Sequence, residues 1–440
     1  MEWFNVLGIV VTVTAFASYV NQRFLKLPSS IGVMVFALAL SLVHILWHQY
    51  GMMTEGTPFV DIDVADKVLG TIDFQTLVLN FMLGLLLFAG AVAIDVDELA
   101  SEKWPVAAMA VIGTLVSTFG VGYLTWWLFS STGADVDLIY CLLFGALISP
   151  TDPIAVLGIM RNACVPKKIE LRVAGESLFN DGISVATFLI LLGMAGGTSE
   201  LTASSVVGIV GREMVGGVLF GLLIGSIATR MLDRSEEDEL KILITLALVM
   251  GGYALASVLE VSAPLAIVIA GLLVGRRRAF NHVDEHGRLS PTATFWKLID
   301  HVLNMLLFVL LGLEMIAIKF LFSDLLQGIA VIPVVLVARF LGILVSRMFH
   351  GVRRAFRLRT VFFMTWAGLR GGVSVALALS LPDWLHRDRV ISVTYCVVVF
   401  SIVFQGLTIS DFARWLRRCE AREDPSIVGH EADAEAGERA

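Results

Sequence analysis

The feature that most restricts this chain is the recurrence of apolar runs of about 20 residues, each able to cross the ~30 Å hydrocarbon core of a bilayer as a helix. Thirteen can be read, near 3–21, 30–48, 74–93, 104–129, 137–158, 173–195, 205–231, 240–258, 262–275, 295–318, 324–346, 358–380 and 389–412. Open sheets cannot span lipid, and barrel strands would alternate apolar and polar residues instead of running apolar. The fold class is therefore an all-α polytopic membrane protein of about 13 transmembrane helices. Composition agrees: 57% of residues are hydrophobic, only 16% are charged, and mean hydropathy is +0.82.

Charge placement gives the orientation. One set of loops carries Arg23, Lys26, Lys103, Arg161, Lys167, Lys168, Arg172, Arg230, Arg234, Lys241, the run Arg276 to Arg278, Arg288, Lys297, Arg347, Arg353, Arg354, Arg357 and Arg359, and ends with the C-terminal tail, whereas the opposite set holds only Lys67, Lys319, Arg387 and Arg389. The positive-inside rule then sets the N-terminus outside and the C-terminus in the cytoplasm of a cell (inner) membrane protein. The first segment, "MEWFNVLGIV", lacks a basic flank and reads as a retained helix. The outer loop 49–73 is acidic and reads equally as cation-attracting or simply solvated. The tail 416–440 is short, polar and acidic. Cys141, Cys164, Cys396 and Cys419 have no paired spacing, which argues against zinc or a disulfide framework. No basic run with interleaved aromatics points to nucleic acid.

Against that apolar background, a few interruptions stand out. "ISPTDPIAVLGIM" (148–160) places Asp152 between Pro150 and Pro153 inside the fifth span. Neither proline has an N–H, so the helix ladder must open. Such breaks persist at membrane depth only where protein or water covers the freed groups, and Ser149 and Thr151 can supply partners. A carboxylate there costs roughly 2.5–3.5 kcal/mol on insertion scales. The next span carries "GESLFNDGISVATF" (175–188), where Ser177 and Asp181 share one helix face and Glu176 and Asn180 the adjacent one. Asp181 is expected about 12–14 Å from the cytoplasmic end at 1.5 Å per residue. Buried ionisable groups in spans mark ion or proton paths.

Arg339, in "VVLVARFLGILVS", needs a partner, and Glu176 is the natural mate. The twelfth span, "TWAGLRGGVSVALALSLP" (365–382), surrounds Arg370 with Gly368, Gly371 and Gly372 and reads as a second broken helix. Arg370 can neutralise carbonyl ends that face each other where the two breaks cross. The breaks lie seven spans apart on oppositely directed helices, which implies inverted repeats. Residues 1–197 would form the first repeat, 198–235 a linker helix, 236–415 the second repeat and 416–440 the tail. Gly217, Gly221 and Gly225 form a face for close helix approach. Asn80, Asn304 and Gln405 are expected to hydrogen-bond between helices, with Arg212, Glu213, Glu260 and Glu314 near the outer surface.

The pieces "SPTDPIAVLG", "GESLFNDGISV", "APLAIVIAGLLVG", "NMLLFVLLGLEM" and "WAGLRGGVSVALAL" together resemble the cation:proton antiporter-1 family of bacterial sodium/proton antiporters and animal sodium/hydrogen exchangers. The resemblance implies thirteen helices and a homodimer in membrane lipid. It implies a mobile core, 104–197 plus 324–415, moving against a dimer scaffold, 1–100 plus 198–320. It implies an ion- and proton-binding set of Asp181, Asp152, Ser177 and Thr151, the last through its carbonyl, supported by Asn180, Glu176, Arg339 and Arg370. The Asn180–Asp181 pair matches the electroneutral branch, one cation for one proton. The transported species would be sodium or lithium and the proton, with no cofactor. Potassium/proton exchange and a cation channel are the rival readings, since oxygen ligands alone do not fix cation size. A membrane-embedded enzyme is disfavoured, because no nucleophile–base or metalloprotease motif falls in the spans.

Overall fold

A computed structural model describes residues 3–54, 76–131, 136–163, 165–196, 203–276, 290–316, 322–348, 357–382, 385 and 387–421. Most of the acidic loop 49–73, nearly all of the tail, Cys164 and the basic residues Arg277, Arg278, Arg288, Arg353 and Arg354 lie outside the described residues. So do Lys67, Lys319 and the side chain of Asn80. Within the described residues every element is helical.

The chain opens with α1 (Trp3–Val20), which widens into a π-helical turn at Asn21–Leu25. There the Asn21 side chain brackets Leu27, donating to its carbonyl at 2.9 Å and accepting its N–H at 3.2 Å. With Lys26 left-handed (φ 53°), the chain turns through 107° into α2 (Ser29–Thr54). Next come α3 (Leu83–Val92), the short α4 (Val96–Ser101) and α5 (Lys103–Ala108), and α6 (Thr114–Ser131).

Then α7 (Leu138–Ile148) stops where Pro150 withdraws its N–H, and α8 (Ile154–Asn162) restarts after Pro153. The long α9 (Lys167–Ala195), α10 (Ala203–Asp233) and α11 (Asp238–Val258) follow. In α12 (Ala263–Gly275) and α13 (Pro291–Glu314), a serine caps the first turn and a proline sits inside it: Ser262 accepts the Leu265 N–H at 3.4 Å and Ser290 that of Ala293 at 3.2 Å. After α14 (Phe322–Met348), α15 (Leu358–Ala367) and α16 (Gly372–Leu379) meet at 54° across 368–371. The chain ends in α17 (Arg387–Phe400), a π-helical turn at Ser401–Gln405, and α18 (Gly406–Ala421).

Where described, the thirteen expected segments fall mainly on helix, but length and apolarity alone give a smaller number of crossings. Seven helices among the described residues qualify singly, and nine if each of two bent pairs is one span. The first two expected spans form one such pair, bent at residues 26–28. Three others fall on shorter apolar helices: Leu77–Val92, Leu138–Ile148 and Ala263–Gly275. A helix the length of α12 is only about 20 Å long, well short of the bilayer core, and α7 is half of a broken span.

Packing follows the small residues. Gly217, Gly221 and Gly225 of α10 lie against Ser262, Ala266 and Ala270 of α12. A Cβ at Gly217 would sit 2.8 Å from the Ser262 carbonyl oxygen, and one at Gly225 2.9 Å from the Ala270 Cα. This is the close approach that small-xxx-small faces permit. Helices α6, α7, α9, α14, α16 and α17 pack on one another, as do α1, α2, α3 and α10 to α13. Outward faces remain apolar: Val215, Leu219, Leu223, Leu243 and Val258 are each more than half exposed. Such a girdle fits hydrocarbon, not water, and this is a multi-pass membrane protein.

Candidate functional site

Where α7 stops and α15 stops, the two interrupted stretches touch. The Asp152 N–H donates to the Leu369 carbonyl at 2.8 Å, one open backbone satisfying the other. The approach needs glycine: a Cβ on Gly371 would lie 2.7 Å from Asp152 Oδ2 and 2.9 Å from its Cβ. Arg370 completes the crossing. Its buried guanidinium donates through Nη1 to the Ser149 carbonyl and, at 2.9 Å, to the Pro150 carbonyl. These are the acceptors left at the end of α7, where the helix dipole is negative. The Arg370 N–H donates to Ser401 Oγ at 2.9 Å.

The first break is bound to α9 through side-chain oxygens. Asn180 donates from Nδ2 to Thr151 Oγ1 at 2.7 Å, and Thr151 Oγ1 lies 3.2 Å from Ser177 Oγ. Ser177 Oγ also donates to the Thr151 carbonyl, which has a second lone pair. Ser149 accepts from Thr118 of α6 at 3.0 Å and donates to the Gly145 carbonyl at 2.7 Å. Asp181 is buried one position beyond Asn180, within electrostatic reach of Asp152 and Glu176. Because α9 begins at Lys167, Asp181 sits about 21 Å along its helix, deeper from the helix end than the segment 173–195 suggests.

One face away, Arg339 of α14 grips Glu176 through both terminal nitrogens, Nη1 to Oε1 and Nη2 to Oε2, the latter at 2.7 Å. Both side chains are almost fully buried. The fork-to-carboxylate geometry is the one in which a buried pair can offset its desolvation. Arg339 also lies against Gly368 at the second break, where a Cβ would come within 2.8 Å of Nε.

Asp152, Thr151, Ser177, Asn180, Asp181, Glu176, Arg339 and Arg370 therefore occupy one region around the crossing. Chemically it offers three carboxylates, one of them paired with Arg339, together with hydroxyl and amide oxygens and backbone carbonyls. This is a hard, oxygen-only set suited to a proton or an alkali cation. Among the described residues no group of three or more His, Cys, Asp or Glu could hold a tightly bound metal.

Other expectations resolve differently. Gln405 does bridge helices, donating to the Trp366 carbonyl at 3.1 Å. Asn304 does not: its amide donates to Asp300 on its own helix, at 2.7 Å to the carbonyl and 3.0 Å to the carboxylate. Four-residue spacing makes that local bond the shorter route. Arg212 and Glu260 form an exposed ion pair at 3.1 Å. Three contributors escape the motifs: Thr118, Ser401 and Asp300, the last within electrostatic reach of Asp152. Only Asp300 had a readable signal, an acid four residues before an asparagine inside an apolar run.

A family model described as sodium/hydrogen exchanger, transmembrane, matches residues 10–415. The chain is 43% identical over 415 residues to the Na(+)/H(+) antiporter NhaP of Pseudomonas aeruginosa, covering 93% of this chain and 96% of that one. It is 30% identical over 413 residues to the Na(+)/H(+) antiporter NhaH of Halobacillus aidingensis, covering 92% and 94%. The fold matches the sodium proton antiporter MjNhaP1 from Methanocaldococcus jannaschii at pH 8 with a TM-score of 0.72. That match has 18% identity and covers 94% of this chain and 99% of the other.

Proposed function

The chain belongs to the sodium/hydrogen exchanger family, and from that premise we propose that it is a secondary transporter exchanging sodium for protons. The observation that carries the reading is the crossing itself. Two broken helices meet, and Asp181 is buried next to an oxygen cluster, within electrostatic reach of Asp152. Relatives matched over nearly their whole length are named sodium/proton antiporters.

In the proposed cycle Asp181 carries either a proton or a cation. An uncompensated carboxylate near Asp152 in a dry site is costly, so the empty site resists burial. A proton on Asp181 removes its charge, and a sodium ion held by Asp181, Asp152, Ser177 and Thr151 balances it. The two loads exclude each other, and either loaded form can cross. Uncoupled leak is thereby suppressed. Asn180 beside Asp181 leaves one titrating carboxylate at that position, which favours electroneutral exchange, one sodium for one proton.

Asn180 positions Thr151, Glu176 and Arg339 tie α9 to α14, and Arg370 holds the first break open. Alternating access would be motion of a core, 104–197 plus 324–415, against a scaffold, 1–100 plus 198–320. The scaffold would mediate a homodimer. In this reading the N-terminus is outside, the C-terminus is cytoplasmic, and an inward proton gradient across the inner membrane drives sodium out.

The test is exchange in reconstituted vesicles carrying a pH dye. Sodium or lithium should dissipate a preset pH gradient, with potassium ineffective, and Asp181→Asn should abolish the response at every sodium concentration. Retained exchange in that variant would remove Asp181 from the centre of the mechanism.

A further inference from the structure

Asp300 and Asn304 project from α13, outside the crossing; Asn304 opens the piece "NMLLFVLLGLEM", and Asp300 lies outside every motif considered above. With Leu307 and Leu311 they occupy one face of that helix, at spacings of four, seven and eleven residues. The orientation of the face is fixed by Leu307, whose Cδ1 lies 2.6 Å from where a Cβ on Gly372 would be. Gly372 follows Gly371, the residue against which Asp152 rests. The Asp300–Asn304 turn therefore approaches the same corner of the crossing from the opposite side of the interface, within electrostatic reach of Asp152.

Its hydrogen bonding is unbalanced. Asn304 is 1% exposed and donates from Nδ2 to the Asp300 carbonyl and carboxylate. Its own carbonyl oxygen, Oδ1, is buried and meets no donor among the described residues. Asp300 lies within electrostatic reach of a second carboxylate, Asp152. A desolvated cation would satisfy the buried amide oxygen and be attracted by the neighbouring carboxylates together.

We propose that Asp300 and Asn304 form a second, weaker site for the alkali cation, a way-station from which the ion passes to Asp152 and Asp181. Asp300 concentrates the cation at the crossing, as a like-signed cleft wall does, and Asn304 holds the carboxylate and contributes its free oxygen. The site rests on the exchange reading given above. Because the cation leaves it for Asp181, the way-station governs how readily the ion is captured, not how fast the loaded protein turns over.

Sodium titrations in the same vesicles separate these quantities. Asp300→Asn should raise the apparent KM for sodium about fivefold, the worth of roughly one ordinary polar contact, with the maximal rate within about twofold of wild type. Asn304→Leu should shift KM in the same direction, and Asp300→Glu should restore it. A purely structural role would lower the maximal rate or the yield and would not be rescued through KM. An unchanged KM in Asp300→Asn, or a fall in maximal rate at unchanged KM, overturns the way-station while leaving the exchange reading intact. Should Asp300→Asn fail to insert, Asn304→Leu is judged by the same criterion. Wild-type vesicles that move no sodium would overturn both.

Discussion

At 149–153 the chain opens a helix with prolines and lines the gap with Ser149, Thr151 and Asp152. At 368–371 it opens a helix with glycine and supplies Arg370. The first break is rich in oxygen and carries an acid; the second is bare and carries a base. Their partners differ in the same way. Thr151 is held by Ser177 and Asn180 through side chains, whereas Leu369 and Arg370 meet the first break through a backbone carbonyl and a guanidinium. In the proposed cycle one break presents ligands, and the other supplies the counter-charge and the room. Two acidic breaks would repel, and two basic ones would offer a cation nothing.

The variant that most severely disturbs both sides is Glu176→Gln. Its partner Arg339 packs on Gly368 at the second break, while Glu176 shares α9 with Ser177 and Asn180 at the first. A lone buried arginine should cost about 3–5 kcal/mol, read as a large fall in the detergent melting temperature. Removing both charges with Glu176→Gln plus Arg339→Met should recover most of that loss; equal melting of the single and double variants would deny the pair.

Arg370→Met comes next. It leaves the Ser149 and Pro150 carbonyls without a donor, a loss of about 1.5–3 kcal/mol for charge-assisted bonds, together with a sharp drop in exchange. If exchange survives unchanged, the two breaks are not electrostatically complementary. Ser401→Ala should have the smallest effect, about 0.5–1.5 kcal/mol. It removes only the acceptor for the Arg370 N–H and should lower stability while leaving the sodium KM in place.

Both breaks are legible in the sequence because proline and glycine act locally, and so is the Glu176–Arg339 pair, because opposite charges in dry spans have few alternatives. The G-x-x-x-G face of α10 is legible for the same local reason. What tertiary packing alone decides is not. Nothing near Ser401 announces that it meets Arg370. Asn304 looks like a bridge between helices until its own Asp300 is found to be the nearer partner. The number of crossings blurs where α12 is too short to span unaided and where Asn21 folds the first two segments into a sharp corner.

The central claim is that sodium and the proton compete for one carboxylate. Initial exchange rates measured against sodium concentration at a series of pH values test it most directly. Competition predicts that acidification raises the apparent KM for sodium, approaching tenfold per pH unit where Asp181 is protonated, while saturating sodium restores the same maximal rate. A KM that stays constant while the maximal rate falls with acidification would contradict a shared site.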